Sequence, residues 1–263
     1  MGIILDINGL SYKDFHNLNI SFEDKTFYLI IGSNNCGKTT LFKLISSLIP
    51  SNNAISCDSV ILNKNNVHKY ITKIGIVQRV NRNSFLYKRV IDEMLFPLMN
   101  LGLSRNVSLK RINEVLEMFK VTNFINKNIN ELDYYDKSLL LIMLSLLHKP
   151  KVLLLDSVLE VFSEEAQNKL IKIFKKLNKD GLTIINFSNS LKTCYNSDKL
   201  ILLDNYKVIK ECLPKEMYDN DKLFYEHNLE IPFLVDLSIK LKMYNLVNKE
   251  YFNMKAMVDD IWP

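Results

Sequence analysis

The residues with the clearest chemistry are Gly32-Ser33-Asn34-Asn35-Cys36-Gly37-Lys38-Thr39, which match GxxxxGK[ST] at every fixed position. Glycines at the two ends let the backbone turn tightly and approach a phosphate closely. Successive N–H groups of such a loop form an anion nest at a helix N-terminus. Lys38 brings a point charge to the β- and γ-phosphates, and the Thr39 hydroxyl is the expected Mg²⁺ ligand. Thr40, the next residue, belongs to the same binding turn. A second element supplies a carboxylate: Val152-Leu153-Leu154-Leu155 is a continuous apolar run that ends in Asp156. A buried strand of an α/β sheet carries such a residue to its C-terminal end, where ligands bind, and Asp156 would orient the magnesium through water. Together these residues predict a site for a nucleoside triphosphate with Mg²⁺.

The elements around them must hold this geometry. Phe27-Tyr28-Leu29-Ile30-Ile31 reads as a buried strand running into Gly32, and a helical pattern follows from Thr39 through Leu48. Further buried strands are expected at 152–155, 182–187 and 200–203, with helices at 90–101, 108–119, 138–148 and 166–177 between them. Buried strands alternating with helices argue for a mainly parallel sheet in an α/β fold. Ile3–Leu10 and Leu18–Phe22 alternate apolar and polar residues instead, as half-buried strands do. Near the end, Phe233, Leu237 and Leu241 fall at helical spacing and predict one apolar face.

Composition sets the outer bounds. The chain has 263 residues, 48% of them hydrophobic, which is enough for a sizeable core. A net charge of +5 is compatible with phosphate, acidic lipid or nucleic acid and selects none of them. The longest apolar run, Leu139–Leu147, is too short to span a bilayer. Cys36, Cys57, Cys194 and Cys212 fit no metal spacing and read as free thiols. His16, His68, His148 and His227 are scattered; His148 stands at a helix end, where a cation interacts well with the dipole. The Lys169, Lys172, Lys175, Lys176 face has no interleaved aromatics, so no nucleic-acid partner is expected.

The order of these motifs resembles the ABC ATPase domain over roughly residues 3 to 210, with a helical subdomain at about 85–135. The resemblance implies a P-loop NTPase fold of ABC ATPase type: a mainly parallel core sheet with an N-terminal antiparallel part. Tyr12 stands where the family carries an aromatic that stacks on adenine; a plain strand-surface tyrosine is the alternative. Ile74-Gly75-Ile76-Val77-Gln78-Arg79 is similar to the family's strand into the Q-loop. Counting places the family's glutamine at Arg79, with Gln78 one residue early, so either residue is a candidate for that role. The segments 210–216 and 230–234 resemble the C-terminal extension of energy-coupling factor transporter ATPases. Residues 211–263 are therefore expected to form a small dimerisation element. The resemblance further implies a second ATPase subunit, an integral membrane transporter subunit, and a peripheral place on the cytoplasmic face of the membrane.

Four positions depart from the family pattern. The LSGGQ stretch reads Leu132-Asp133-Tyr134-Tyr135-Asp136. The glutamate expected after Asp156 is Ser157, which has no adjacent base to activate it. The D-loop reads Val161-Phe162-Ser163, and the switch histidine is replaced by Asn189. The binding half of the site is kept while the hydrolytic half is altered. The expectation is impaired hydrolysis and a heterodimer with a more competent relative. A soluble ATP-binding regulator without a transport role is the alternative, and an active hydrolase with a displaced base (Glu164 or Glu165) is a third reading.

Overall fold

The computed structural model describes residues 2–51, 53–191, 196–218, 223, 226–227, 229, 233–247, 251 and 254–261. Cys194 and the 230–232 part of the tail resemblance lie outside the described residues. The elements run β1 (Ile3–Tyr12), β2 (Phe15–Glu23), β3 (Phe27–Ile31), α1 (Lys38–Ile45), β4 (Ile55–Cys57), β5 (Val60–Ile61), α2 (Val67–Ile71) and β6 (Ile74–Val77). Then come α3 (Val90–Asn100), α4 (Arg105–Phe119), α5 (Tyr134–Leu146), β7 (Val152–Asp156), α6 (Glu164–Lys179) and β8 (Thr183–Ser188). The chain continues with β9 (Lys199–Asp204), β10 (Lys207–Cys212), α7 (Pro214–Tyr218), α8 (Phe233–Met243) and α9 (Met254–Ile261).

Two sheets result. One has the order β2-β1-β4-β5 and is antiparallel; the other has the order β10-β9-β3-β8-β7-β6. In the second, β6 through β9 and β3 pair in parallel, and β10 returns antiparallel on the edge. This is the expected α/β architecture, with the P-loop strand β3 central. Every residue of β3 and β8 is buried, because both faces of the sheet are covered.

Strand alternation divides the core. Leu153 and Leu155 of β7 point into the helical layer of α3, α4, α5 and α6, whereas Val152 and Leu154 pack toward α1 and the antiparallel sheet. Likewise Tyr28 and Ile30 of β3 face the antiparallel sheet, while Leu29 and Ile31 meet Met217, Leu229 and Val235 of the C-terminal region. The extension is thus seated on the same strand that feeds the P-loop.

Several local expectations change. Helix α5 begins at Tyr134 rather than 138, because the Asp133 carboxylate accepts the Asp136 N–H at 2.6 Å and caps it. Strands β4, β5 and β10 are short or charged and carry little apolar signal. β10 forms the antiparallel edge of the second sheet, over Lys207–Cys212. The apolar face of α8 is Leu234, Leu237 and Leu241, packed with Val247, Tyr251 and Met257; Phe233 is 70% exposed. Cys36, Cys57 and Cys212 are free and buried. His148 is no surface cation: its Nε2–H donates to the Ile74 carbonyl at 3.1 Å, and burial pushes its pKa down.

Candidate functional site: a phosphate loop and its rim

Strand β3 ends at Ile31 and the chain turns through 32–37 into α1, giving the strand, loop and helix order that the motif requires. Gly32 is required by close approach: a Cβ there would stand 2.0 Å from the Leu203 carbonyl oxygen and 2.5 Å from Cys36 Sγ. Gly37 is required by conformation as well, with φ of 110° at the N-cap of α1. A Cβ on Gly37 would also meet the Tyr206 ring at 2.7 Å and the Phe15 ring at 2.9 Å. The P-loop is therefore a backbone cradle with no space for side chains at its two ends.

Lys38 is buried and folds over this cradle. Its ammonium donates to the Gly32 carbonyl at 2.7 Å and the Ser33 carbonyl at 2.8 Å, and lies 3.4 Å from Cys36 Sγ. A cavity of about 330 Å³ opens above, lined by Asn34, Asn35, Gly37, Lys38, Thr39, Thr40, Asp156, Ser157, Asn189 and Tyr206. Residues far apart in sequence are thus brought to one place. Ser33 and Cys36 lie within the loop beneath it: the Ser33 hydroxyl reaches Asp204 at 3.5 Å, and the Cys36 carbonyl accepts the Tyr206 N–H at 3.0 Å.

Asp156 is the only carboxylate among the lining residues. Burial raises its pKa, while Arg79 and Lys38 act to lower it and Glu160 to raise it. Thr39 and Asp156 both line the cavity and would hold a magnesium ion there, Thr39 through its hydroxyl and Asp156 through water, and the ion would offset the negative charge of the phosphates. No group of three His, Cys, Asp or Glu side chains gathers as a metal cluster among the described residues. The donor set therefore fits Mg²⁺ carried by a triphosphate.

Ser157 and Asn189 close the rim of the cavity. Ser157 sits at φ 52° with its N–H bonded to the Phe187 carbonyl at 2.9 Å. Its own carbonyl accepts Arg79 Nε at 2.9 Å, and Arg79 Nη2 pairs with Glu160 at 2.6 Å. The other Glu160 oxygen accepts the Ser188 hydroxyl at 2.6 Å. Arg79, rather than Gln78, thus ties the end of β6 to the end of β7. Asn189 Nδ2 donates to Asn34 Oδ1 at 3.0 Å, which ties Asn189 to the loop.

The other sequence candidates stand further off. Tyr12 ends β1 half-buried, under the Lys13 ammonium at 5.7 Å, and is not among the lining residues; neither is Gln78. Glu164 and Glu165 stand in the first turn of α6, which Ser163 caps; neither is among the lining residues, and Glu165 is exposed and paired with Lys169 at 2.7 Å. Tyr206 and Glu160 were missed in the sequence. Glu160 carries no spacing signal, but an aromatic in a two-residue hairpin turn is unusual enough to have been noticed.

Comparison with known proteins agrees with this geometry. A family model described as "ABC transporter" matches residues 15–160, more than half of the chain. The energy-coupling factor transporter ATP-binding protein EcfA of Pediococcus pentosaceus is 26% identical over 243 residues, covering 89% of this chain and 87% of that protein. EcfA1 of Lactobacillus acidophilus is 28% identical over 232 residues, covering 86% and 82%. Among solved structures, CbiO1 of Clostridium perfringens, described as part of the ABC transporter complex cbiONQ, superposes with a TM-score of 0.76. It is 22% identical, covering 88% of this chain and 97% of that one, and supports the fold alone. With motif, topology and family model in agreement, the chain belongs to the ABC transporter family.

Proposed function

We propose that the chain is an ATP-binding subunit of an energy-coupling factor-like ABC importer. It binds ATP with Mg²⁺, turns it over slowly or not at all, pairs with a second and more competent ATPase, and docks on an integral membrane subunit from the cytoplasmic face. The observation that carries this reading is the composition of the 330 Å³ cavity: Lys38, Thr39 and Asp156 line it together, while Ser157 and Asn189 occupy the rim. The first three are what a magnesium triphosphate needs. The last two hold no proton acceptor suited to a general base at neutral pH. Glu160 is not among the lining residues, and its two oxygens are turned to Ser188 and Arg79.

The signature position supports the same reading. In ABC ATPases the corresponding helix end offers hydroxyl and N–H groups to a partner's γ-phosphate. Here Asp133 caps α5 with its own carboxylate, and Asp136 adds a second negative charge, 3.7 Å from Lys127. A helix end covered by carboxylates repels a triphosphate. Two copies of this chain would thus make two weak composite sites, which favours a heterodimer. The importer assignment draws on the names of the relatives and on the C-terminal extension.

Affinity purification of the tagged chain from gently solubilised cells, with mass spectrometry of the co-purifying proteins, tests the assembly. A polytopic membrane protein and a second ATPase with an intact signature and catalytic glutamate are the expected partners. Recovery of the chain alone from the soluble fraction would replace this reading with that of an ATP-binding regulator. Turnover of the pure chain within the usual enzyme range of about 1 to 10³ per second, abolished by Lys38→Ala, would refute impaired hydrolysis.

A further inference from the structure

The β9–β10 hairpin turns on two residues, Asn205 and Tyr206, at φ 44° and 61°. A two-residue turn with both positions left-handed favours Asn followed by Gly. Asn205 fits that preference and Tyr206 does not, because a side chain with a Cβ crowds the backbone in this region. Such outliers persist only where the surroundings hold them, and they concentrate at ligand sites.

The surroundings that hold Tyr206 belong to the P-loop. Its N–H donates to the Cys36 carbonyl at 3.0 Å, and its ring closes on Gly37. The buried Phe15 ring braces it edge-on, at 5.1 Å between centroids and 86° between planes. Phe15 is in turn the cross-strand partner of Tyr12. An aromatic series therefore runs from the β1–β2 hairpin to the β9–β10 hairpin, and its last member, Tyr206, forms part of the wall of the nucleotide cavity.

We propose that Tyr206 contacts the nucleoside part of the bound nucleotide through its ring and is a specificity-determining residue, favouring a nucleoside triphosphate over a bare polyphosphate. This rests on the nucleotide-binding reading of the P-loop. The phosphates already have Lys38, Thr39 and the loop N–H groups. A neutral phenol ring adds no charge for them, but it does offer a π-face. Every base has a π-face too, and stacking a base on an aromatic side chain is worth roughly five- to hundredfold in affinity.

The test is isothermal titration of the full chain with MgATP and with magnesium tripolyphosphate. Tyr206→Gly should weaken ATP binding about tenfold and leave tripolyphosphate binding unchanged. Tyr206→Phe should bind ATP as the wild type does, because the ring and not the hydroxyl makes the contact. Glycine is the residue the turn prefers, so the variant folds, and Tyr206→Asn, which also tolerates positive φ, is a second way to remove the ring. If Tyr206→Gly and Tyr206→Asn bind ATP like the wild type, or lose both ligands equally, the nucleoside contact is overturned while the P-loop reading stands. If the wild-type chain binds neither ligand, the P-loop reading fails and this proposal with it.

Discussion

Substituting Gly32 by alanine adds one methyl group at the most crowded point of the phosphate loop. The new Cβ would stand 2.0 Å from the Leu203 carbonyl oxygen, where ordinary contact starts at 3.4 Å, a shortfall of 1.4 Å. The obstacle is backbone, and β9 is held in register on β3, with Leu202 opposite Ile31, and on β10. Neither strand yields easily, so the cost falls at the upper end for an overpacked site, about 3 kcal/mol. At roughly 2–4 °C per kcal/mol for a domain of this size, Tm should fall by about 6–12 °C, as read by differential scanning calorimetry. If the loop rather than the sheet gives way by 1.4 Å, its N–H groups leave hydrogen-bonding range of a bound phosphate. Losing one bond to a charged group, about 1.5–3 kcal/mol, weakens ATP roughly 10- to 150-fold. Cys36→Ala removes the second obstacle, the sulfur at 2.5 Å, and should not rescue the variant, because the carbonyl remains. Gly102→Ala is the control: φ is 77° with nothing within 4 Å, so only backbone strain of about 1 kcal/mol is expected. A Gly32→Ala chain that melts within about 2 °C of the wild type and binds ATP normally would refute this account of why the motif begins with glycine.

Three further outcomes follow from the same geometry. Asp156→Asn should raise the Tm of the nucleotide-free chain at pH 7, since burial raises the carboxyl pKa and the charged form carries that cost; the same substitution should abolish the Mg²⁺-dependent part of ATP affinity, measured by titration with and without a chelator. His148 has a pKa lowered by burial from 6.5, so the unfolded chain takes up the proton first as pH falls; stability is full above 6.5 and declines below it, and urea unfolding at pH 7.5 and 5.5 should show this slope reduced in His148→Gln. Tyr206→Gly relieves about 1 kcal/mol of left-handed strain and loses an edge-to-face pair of similar size; Tm should move by no more than about 3 °C in either direction, and a collapse of folding would show that the ring is a core residue first.

The sequence by itself determined the class of fold and the phosphate-binding half of the site. Both are written in contiguous residues: the β-forming apolar run 27–31 that stops at Gly32 reads as a buried strand, and 32–39 carries its own loop geometry and charge. Asp156 was legible for the same reason, as the polar end of a buried run. Ser157 and Asn189 could be singled out without coordinates, and the structure places both on the cavity. The tertiary structure decided the rest, because the rim is assembled from residues that no local pattern connects. Arg79 reaching across to Ser157 and Glu160 depends on β6 lying beside β7. Asp133 becomes a helix cap only when the chain turns there, which moves the start of α5 to Tyr134. Burial holds the His148 pKa down, against the opposing hydrogen bond to the Ile74 carbonyl, an environment that its place near a helix end does not reveal. Tyr206 joins the nucleotide cavity only because β9 follows β3 in the sheet and delivers its hairpin to the P-loop, some 170 positions earlier in the chain. Strand order is set by how whole faces bury against one another, and one strand's residues do not carry it.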